Sequence, residues 1–373
     1  MYDLIVIGAG WAGFSAAEYA SQKGFKAALI DRDLLGGTCL NYGCIPTKTI
    51  LNTTKLFSQF KKSGKFGVRC AQVDIDLIRL NQRVKEISSQ LRSGLEFRLK
   101  SRKIDFFKSS AELINPNQVK IEGSVLEARY ILIATGSRPI ELPKIKFDGT
   151  KIISSTEALE LSNVPNKLLI IGGGVIGCEF AEIFSSLGSQ VEVVELTGGL
   201  LPGIDGEVAR KLEIILKKKG VKISLNTDAT ILDFGAYDKI LLCVGRAPHS
   251  DCLGSPEVKK ERNRILVNEY LQTSIPNIYS AGDCTGGYLL AHIASYEGRL
   301  AVKNMFGADK EKANYRAVPS AIFTNPEIAV VGLSEEDAAA NFGEIIIKKF
   351  DFRGLGMSYV LDEVEGFVKI IAD

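Results

Sequence analysis

The chain lacks the features that would direct it to a nucleic acid, a membrane or the secretory route. Its 46 basic residues nearly balance its 44 acidic ones, so the formal charge of +2 gives no field that would recruit nucleic acid or an anionic membrane. No apolar run approaches the roughly 20 residues that a membrane-spanning helix needs. Strand-like sequence begins at Tyr2, which leaves no room for a signal peptide. We therefore expect a cytoplasmic protein that binds neither nucleic acid nor membrane.

Histidine is also scarce, and the number of cysteines is odd. The 373 residues contain two histidines, His249 and His292, and seven cysteines. An odd cysteine count without a secretion signal argues against a structural disulfide framework, and we predict no metal site. Five of the cysteines are predicted to be small packing residues. These are Cys70, Cys178, Cys243, Cys252 and Cys284.

Two glycine-rich segments repeat one pattern of strand, glycine turn, helix, strand and acid. In this pattern the first glycine makes the turn, the second lets a pyrophosphate approach, the third packs the helix, and the acid binds a ribose hydroxyl. The acid follows the first glycine by 23 residues in both copies. The alternative is a pair of glycine turns that bind no nucleotide. The residues concerned are Gly8, Gly10, Gly13 and Asp31 in the first copy and Gly172, Gly174, Gly177 and Glu195 in the second.

The second copy favours NAD over NADP. Glu195 would accept a hydrogen bond from a free 2′-hydroxyl and repel a 2′-phosphate. No arginine follows between Leu196 and Ile204 to bind such a phosphate.

The two lobes differ in length. From the first glycine to the glycine that closes a later strand, the first lobe spans 128 residues, Gly8 to Gly136, and the second spans 73, Gly172 to Gly245. The extra segment includes a predicted amphipathic helix over residues 74–100. Its apolar face is formed by Leu77, Leu80, Val84, Ile87 and Leu91.

Two cysteines five residues apart follow the first fingerprint, within Gly36–Lys48. Such a pair, Cys39 and Cys44, could exchange electrons with a bound cofactor, whereas the alternative is two unpaired packing thiols. A regular helix would advance about 7.5 Å between them, while a disulfide needs Cα atoms within about 7 Å, so a disulfide requires an irregular turn. Gly43 and Pro46 favour that irregularity.

Beyond Ala317 the pattern changes to strand-like segments over residues 318–324, 328–331 and 367–371, which predict a third, antiparallel module. The predicted fold class is α/β, with two Rossmann-like dinucleotide-binding domains and an incomplete α+β interface domain. We expect an FAD-binding domain in residues 1–150 and 251–314, a shortened NAD-binding domain in 151–250 and the interface domain in 315–373.

With these motifs the chain resembles the flavin-dependent pyridine nucleotide-disulfide oxidoreductases, and among them most closely the dihydrolipoamide dehydrogenases. The resemblance runs from Tyr2 to the last residue, and its most specific part is Gly36–Lys48, which departs from the usual pattern chiefly at Tyr42. Further matching segments are Ala134–Pro139, Ala281–Asp283, Leu290–His292, Phe323–Glu327 and Glu365–Lys369.

The resemblance implies oxidation of protein-bound dihydrolipoamide, with FAD in the first lobe and NAD in the second. Cys39 would meet the substrate and Cys44 the flavin, while Lys48 would lie near the flavin and pair with Glu179. The implied FAD contacts are Gly8, Gly10, Gly13, Asp31, Lys48, Ala111, Ala134, Thr135, Gly136, Asp283, Leu290, Ala291 and His292. The implied NAD contacts are Gly172, Gly174, Val175, Ile176, Gly177, Glu179, Glu195 and Gly245.

The family's acid–base histidine lies near the C-terminus and serves the partner subunit, and this sequence stops before that point. We therefore expect a C-terminally incomplete chain that turns over lipoamide poorly, with a homodimer as the complete assembly. His292 is expected to be a packing or flavin-contact residue and not a base. Two alternatives stay open, a mercuric reductase-like enzyme and an NADH diaphorase or flavin-binding protein without disulfide turnover.

Overall fold

The computed structural model describes residues 1–71, 73–254 and 257–372. The chain divides into two compact units, each built from three segments. Unit 1 comprises Met1–Pro46, Asn81–Ile140 and Arg246–Tyr315, and unit 2 comprises Thr47–Leu80, Glu141–Gly245 and Arg316–Asp373. The domain boundaries expected at residues 150, 250 and 314 stay predictions.

The described residues form 20 strands and 10 α-helices. The strands are β1 (Tyr2–Ile7), β2 (Ala27–Asp31), β3 (Asp105–Lys108), β4 (Glu112–Asn115), β5 (Gln118–Ile121), β6 (Ser124–Ile133), β7 (Ser137–Pro139), β8 (Ile152–Ile153), β9 (Lys167–Ile171), β10 (Gln190–Val194), β11 (Lys222–Ser224), β12 (Lys239–Leu242), β13 (Arg246–Pro248), β14 (Lys260–Glu261), β15 (Arg264–Ile265), β16 (Ile278–Ser280), β17 (Ser320–Ile322), β18 (Ile328–Val330), β19 (Ile346–Asp351) and β20 (Phe367–Ala372). The helices are α1 (Trp11–Gln22), α2 (Gly37–Asn41), α3 (Cys44–Lys61), α4 (Leu77–Ser101), α5 (Ser155–Ala158), α6 (Val175–Leu187), α7 (Gly206–Lys218), α8 (Ala291–Phe306), α9 (Glu335–Phe342) and α10 (Gly356–Val360).

Unit 1 is built on a sheet of order β3-β2-β1-β6-β5-β4, with β16 also paired to β6. Strands β2, β1, β6 and β16 run parallel. Alternate residues of β1 enter different core clusters, Leu4 and Val6 on one face and Ile5 and Ile7 on the other, because successive side chains of a strand point to opposite faces. This double burial explains the unbroken apolar run of β1.

Unit 2 contains a parallel sheet of order β11-β10-β9-β12-β8. Its central arrangement, β10-β9-β12, repeats the arrangement β2-β1-β6 of unit 1. Each central strand runs into a glycine turn and a helix, α1 after β1 and α6 after β9. The two predicted Rossmann-like lobes are therefore confirmed.

The C-terminal part of unit 2 carries two antiparallel pairs, β17 with β18 and β19 with β20. Three of these strands lie in the predicted segments, but β19 was not predicted. The sequence of β19, IIKKFD, does not alternate between apolar and polar residues, so sequence reasoning could not detect the strand. Every residue of β19 is exposed, and its pairing with β20 defines it. The α/β class with an additional α+β module is confirmed.

Two details of side-chain burial differ from the predictions. In α4, Leu80 and Val84 are buried as predicted, but Leu91 is 44% exposed and Leu95 is buried instead. Cys70 is exposed, so its predicted packing role is wrong. Of the other four predicted packing cysteines, Cys178, Cys243 and Cys284 are buried and Cys252 is half-buried. Among the described residues, no helix has the length and apolar character to cross a bilayer.

Candidate functional site

The first glycines of the two fingerprints occupy equivalent turns. Gly8 follows β1 with φ +107°, and Gly172 follows β9 with φ +112°, values that disfavour any residue with a Cβ. A Cβ on Gly8 would lie 2.2 Å from the carbonyl oxygen of Ala134, and one on Gly172 would lie 2.5 Å from that of Cys243. Each turn is therefore closed against the end of a neighbouring parallel strand.

The third glycines bring each helix against its own turn. A Cβ on Gly13 would lie 1.8 Å from the carbonyl oxygen of Gly8, and a Cβ on Gly177 would lie 1.9 Å from that of Gly172. No side chain fits at either position, so both helices begin in the same place relative to their strands. These contacts have the packing role that the fingerprint predicts for the third glycine.

The middle glycines have no such neighbour inside the protein. Gly10 and Gly174 are the N-caps of α1 and α6, with extended backbones (φ −70° and −73°) that any residue can adopt. A Cβ at either position would have no protein atom within 4 Å. Neither helix has a side-chain cap or an acid in its first turn, so backbone N–H groups are available at both N-termini. Open space beside a helix N-terminus suits the close approach of a pyrophosphate, so these residues fit a dinucleotide in each lobe.

The two acids have the same hydrogen-bonding role. Asp31 Oδ2 accepts from the N–H of Ala9 at 2.6 Å, and Glu195 Oε2 accepts from the N–H of Gly173 at 2.6 Å. Glu195 Oε1 also accepts from the N–H and the hydroxyl of Thr197, at 2.8 and 2.9 Å. Both carboxylates are thus fixed beside the glycine turn, where a ribose hydroxyl would be bound.

The cysteine segment is attached to the first glycine turn in unit 1. Gly36 N–H donates to the carbonyl oxygen of Ala9 at 2.9 Å, and a Cβ on Gly37 would lie 2.7 Å from the Cα of Gly10. Helix α2 carries Cys39 and ends before Tyr42, and α3 begins at Cys44.

The predicted irregular turn between the two half-buried cysteines is therefore confirmed. Gly43 favours this turn as predicted, but not through a positive φ. The missing side chain instead makes room for the carbonyl oxygen of Thr38, which would lie 3.1 Å from a Cβ. Pro46 lies in the first turn of α3, where its missing N–H costs no helical hydrogen bond, so the prediction that Pro46 favours the irregular turn is wrong.

Asn41 fixes the end of α2. Its side-chain amide donates to the carbonyl oxygens of Leu35 and Gly37, at 3.1 and 3.0 Å, and its Oδ1 accepts from Arg92 at 2.8 Å. Sequence reasoning assigned no role to Asn41. A short polar residue between two cysteines was the available signal, because asparagine commonly bonds to nearby backbone groups.

Asp283, one of the predicted FAD contacts, belongs to a polar cluster that the sequence did not reveal. It accepts a hydrogen bond from the Ser137 hydroxyl at 2.5 Å, and Ser137 Oγ accepts from Arg246 Nε at 2.8 Å. Burial lowers the pKa of Arg246, and the negative charges of Asp283 and Cys44 oppose that shift. Arg246 and Cys44 are thus electrostatically coupled, and a positive charge at Arg246 would favour a thiolate at Cys44.

Glu179, Lys48 and Phe323 come together within unit 2. Glu179 Oε1 accepts from the backbone N–H of Phe323 at 3.0 Å, and Lys48 Nζ lies 4.2 Å from the centre of the Phe323 ring. Burial raises the pKa of Glu179, while the Phe323 hydrogen bond and the charge of Lys48 partly oppose the rise. An electrostatic coupling between the predicted partners Lys48 and Glu179 is present.

The remaining predicted contacts lie at strand and helix ends. Thr135 and Gly136 follow β6, where their hydroxyl and carbonyl oxygen bond to the backbone of His249. His292 lies exposed in the first turn of α8, so a packing role for it is wrong. Ala111, Leu290, Ala291 and Ile176 are half-buried, and Val175 and Gly245 are exposed. Their cofactor contacts stay predictions.

Comparison with protein families gives two matches that cover most of the chain. The model described as "Pyridine nucleotide-disulphide oxidoreductase" matches residues 2–298. The dimerisation-domain model of the same group matches residues 318–373.

Several curated proteins are similar over nearly the whole chain. A dihydrolipoyl dehydrogenase of Bacillus subtilis (strain 168) is 37% identical, over 99% of this chain and 86% of that protein. One from Chlamydia pneumoniae is 36% identical, over 100% and 84%. The mitochondrial dihydrolipoyl dehydrogenase of Dictyostelium discoideum is 38% identical, over 99% and 82%.

Among solved structures, the HOCl-induced flavoprotein disulfide reductase RclA from Escherichia coli is similar with a TM-score of 0.87. It is 29% identical, and the match covers 100% of this chain and 87% of that chain.

Proposed function

This chain belongs to the pyridine nucleotide-disulphide oxidoreductases, which use FAD and NAD(H), and we propose that it oxidises protein-bound dihydrolipoamide to lipoamide with NAD as acceptor. One observation carries the proposal. The segment that bears Cys39 and Cys44 is anchored on the first glycine turn, through the Gly36 hydrogen bond to Ala9 and the contact of Gly37 with Gly10. A dithiol fixed to the turn that would bind FAD is suited to two-electron exchange with it.

The two sulfurs have separate roles in the proposed electron transfer. The substrate's two thiols lose two electrons and two protons and form its disulfide, while the Cys39–Cys44 disulfide is reduced to the dithiol level. Cys39 would receive the substrate thiol, and Cys44, whose thiolate Arg246 favours, would face the flavin. A bound FAD would supply the hydride chemistry, taking two electrons from the Cys39–Cys44 dithiol as it returns to the disulfide and giving them to NAD as a hydride, with the remaining proton released.

Lys48 and Glu179 would place their opposite charges beside the reacting groups. The hydrogen bond from Phe323 holds Glu179 in position, and the Phe323 ring lies under the Lys48 ammonium group. Neither residue needs to bind a proton from the substrate in this role. Their task is to orient the flavin and nicotinamide for hydride transfer.

The proposal includes a homodimer and a lipoyl-bearing partner protein in the cytoplasm. The dimerisation-domain match over residues 318–373 supports the homodimer. The names of the curated relatives support the lipoyl substrate.

Stopped-flow reduction of the flavin tests the proposal with two reductants. Dihydrolipoamide and NADH should both reduce the flavin of the native protein. Cys39→Ser and Cys44→Ser should abolish reduction by dihydrolipoamide and leave reduction by NADH, because hydride transfer does not need the dithiol. Cys70→Ser is the control, since Cys70 is exposed and should change neither rate. If Cys39→Ser is still reduced by dihydrolipoamide, the dithiol role is wrong, and if NADH but not dihydrolipoamide reduces the native protein, the NADH diaphorase alternative replaces the proposal.

A further inference from the structure

Unit 1 contains a buried carboxylate for which the proposed electron transfer has no use. Glu297 lies on α8 and is 2% exposed. Its Oε2 accepts from the backbone N–H of Gly282 at 2.6 Å, and its Oε1 accepts from the hydroxyl of Tyr315 at 2.6 Å. Burying a carboxylate costs free energy unless it is hydrogen-bonded. The role of Glu297 is therefore to be found in the two groups that donate to it, the Gly282 N–H and the Tyr315 hydroxyl.

The hydrogen bond to Glu297 fixes the backbone of Gly282, the residue directly before Asp283. Gly282 has φ +80° and precedes a short 3-10 turn over Asp283–Thr285. A Cβ on Gly282 would lie 3.1 Å from the Cβ of Ala12 in α1 and 3.4 Å from that of Ala294 in α8. The turn is therefore enclosed by the helix that begins at the first fingerprint and by the helix that carries Glu297.

Asp283 is held from two directions. The Ser137 hydroxyl, itself bonded to Arg246, fixes its carboxylate, while Glu297 fixes the N–H of the preceding residue. An apolar side chain at position 297 would fill the same volume but would leave the Gly282 N–H and the Tyr315 hydroxyl without this acceptor. Burial and the negative charge of Asp283 raise the pKa of Glu297, while its two hydrogen bonds oppose the rise. The carboxylate is thus retained at an electrostatic cost.

We propose that Glu297, together with Tyr315, is a positioning residue that holds Asp283 in the geometry needed to bind the flavin cofactor. This inference rests on the proposed function in one respect, the binding of FAD in the first lobe. Glu297 acts on the backbone of Gly282 and touches neither substrate nor cofactor. Tyr315 limits the carboxylate to one orientation, and its ring packs near those of Tyr288 and Tyr296.

The test is the dissociation constant of FAD, measured by flavin fluorescence on apoprotein, together with the melting temperature of the apoprotein. Glu297→Ala should weaken FAD binding about tenfold or more, since it leaves a buried donor unsatisfied. Tyr315→Phe should weaken it about threefold. Glu297→Gln should stay within about threefold of the native protein, because the amide oxygen can accept from Gly282 while its NH2 donates to the Tyr315 oxygen.

Asn304→Ala is the matched control. Asn304 lies on the same helix, is also 2% exposed, and bonds to backbone groups of Tyr270 and Glu311. It should lower the melting temperature of the apoprotein and leave the FAD dissociation constant unchanged. If Glu297→Ala and Asn304→Ala weaken FAD binding equally, Glu297 is only structural and the inference is overturned. If Glu297→Ala does not fold, Tyr315→Phe decides, and native FAD affinity in that variant overturns the inference.

A double-mutant cycle tests whether Glu297 acts through Asp283. Asp283→Ala alone should weaken FAD binding, and adding Glu297→Ala to it should have no further effect. Additive losses would contradict positioning through Asp283. Native FAD affinity in Asp283→Ala would instead refute the FAD site of the proposed function, so the two failures can be distinguished.

Discussion

At the scale of single residues, the acids of the twin lobes share two backbone hydrogen bonds and differ in a third, which the Thr197 hydroxyl donates to Glu195. Asp31 and Glu195 each accept from a glycine-turn N–H at 2.6 Å. Each acid also accepts from the N–H two residues further on, Asp31 from Asp33 at 2.9 Å and Glu195 from Thr197 at 2.8 Å, and Glu195 accepts from the Thr197 hydroxyl as well. Glu195 is 9% exposed. The second acid is therefore fixed in a position where it would meet the 2′ substituent of a nicotinamide dinucleotide.

Glu195→Ala should weaken NADH binding about 10- to 100-fold, as expected for the loss of a hydrogen bond to a charged group, and should leave FAD bound. NADPH binding should weaken less, because a repulsion is removed together with the acid. Fluorescence titration with each coenzyme measures both constants. Asp31→Ala is the matched control in the other lobe and should weaken FAD binding instead. Equal losses for NADH and NADPH would contradict the proposed role of Glu195 in discrimination.

Arg246 should control the reactivity of Cys44. Arg246→Met removes a positive charge near the sulfur, so Cys44 should require a higher pH to form its thiolate. The rate of alkylation of the reduced protein, followed for the Cys44 sulfur by peptide mass spectrometry, gives this pH dependence. Arg138→Met serves as control, because Arg138 is exposed and pairs with Asp251. An unchanged alkylation profile in Arg246→Met would show that the guanidinium does not act on Cys44.

At the scale of elements, α6 connects the second fingerprint to the segment that follows β17. Glu179 accepts from Phe323, and one turn later Glu182 is 4% exposed and contacts Lys219 Nζ at 2.8 Å through both oxygens. Lys219 also donates to the carbonyl oxygen of Asn325 at 2.5 Å. One helix therefore fixes both ends of the stretch from Phe323 to Asn325.

Lys219→Met should destabilise the protein by about 2 kcal/mol, because it leaves the buried Glu182 without its cation. Urea denaturation measures the free energy of unfolding. Lys217→Met is the control from the same helix end, where an exposed pair with Glu213 should contribute at most about 0.5 kcal/mol. Adding Glu182→Leu to Lys219→Met should recover part of the loss, and no recovery would show that the buried charge is not the cause.

The raised pKa of Glu179 predicts that removing its charge stabilises the protein by an amount that depends on pH. Because burial raises the native pKa above the ordinary value of 4.5, ionisation costs stability as pH rises from 4.5 through the native pKa. Glu179→Gln keeps the acceptor for Phe323 and removes this cost. The variant should therefore be more stable than the native protein at neutral pH, with a gain that vanishes near pH 4, as measured by urea unfolding at several pH values.

Glu192→Gln provides a control of opposite sign. Burial would raise the pKa of Glu192, but hydrogen bonds from Lys222, Tyr237 and Ser224 hold it below its ordinary value. Its ionised form is therefore stabilised in the native state, and Glu192→Gln should lower stability at neutral pH. Equal effects of the two substitutions would contradict the assignment for Glu179.

At the scale of the whole molecule, the C-terminal strand pair presents an apolar surface. Along β19 and β20 one face carries Ile346, Phe350, Val368 and Ile370, which are 57%, 53%, 48% and 62% exposed, and the exposed Lys348 lies among them opposite Ile370. Exposed apolar surface of this kind is typical of an interface. It lies within the residues that match the dimerisation-domain model, which agrees with the proposed homodimer.

Phe350→Lys and Ile370→Lys should each shift the homodimer toward monomer by at least about tenfold in dissociation constant, because a buried interface disfavours an unpaired charge. Sedimentation equilibrium measures the constant. Val125→Lys is the control, an exposed apolar residue on β6 of unit 1 that should leave association unchanged. If neither variant changes the dissociation constant, this face does not form the dimer.

The sequence by itself determined the features whose parts are local. In each fingerprint the glycine turn, the adjoining strands and helix and the acid lie within about 25 residues of one another. The backbone conformation of the turn favours glycine at positions 8 and 172. The irregular turn between Cys39 and Cys44 is local as well, and it could be predicted on the condition that the two cysteines form a disulfide, which a regular helix over five residues would not allow.

The tertiary structure alone decided which distant polar groups meet. Arg246 reaches Ser137, Glu297 supports the residue before Asp283, and Glu179 accepts from Phe323, across separations of 109, 15 and 144 residues. No periodicity or spacing predicts these contacts, because a hydrogen bond depends on positions within a few tenths of an ångström. Those positions are set by how sheets and helices pack, and the same packing exposed Leu91 and made a strand of 346–351.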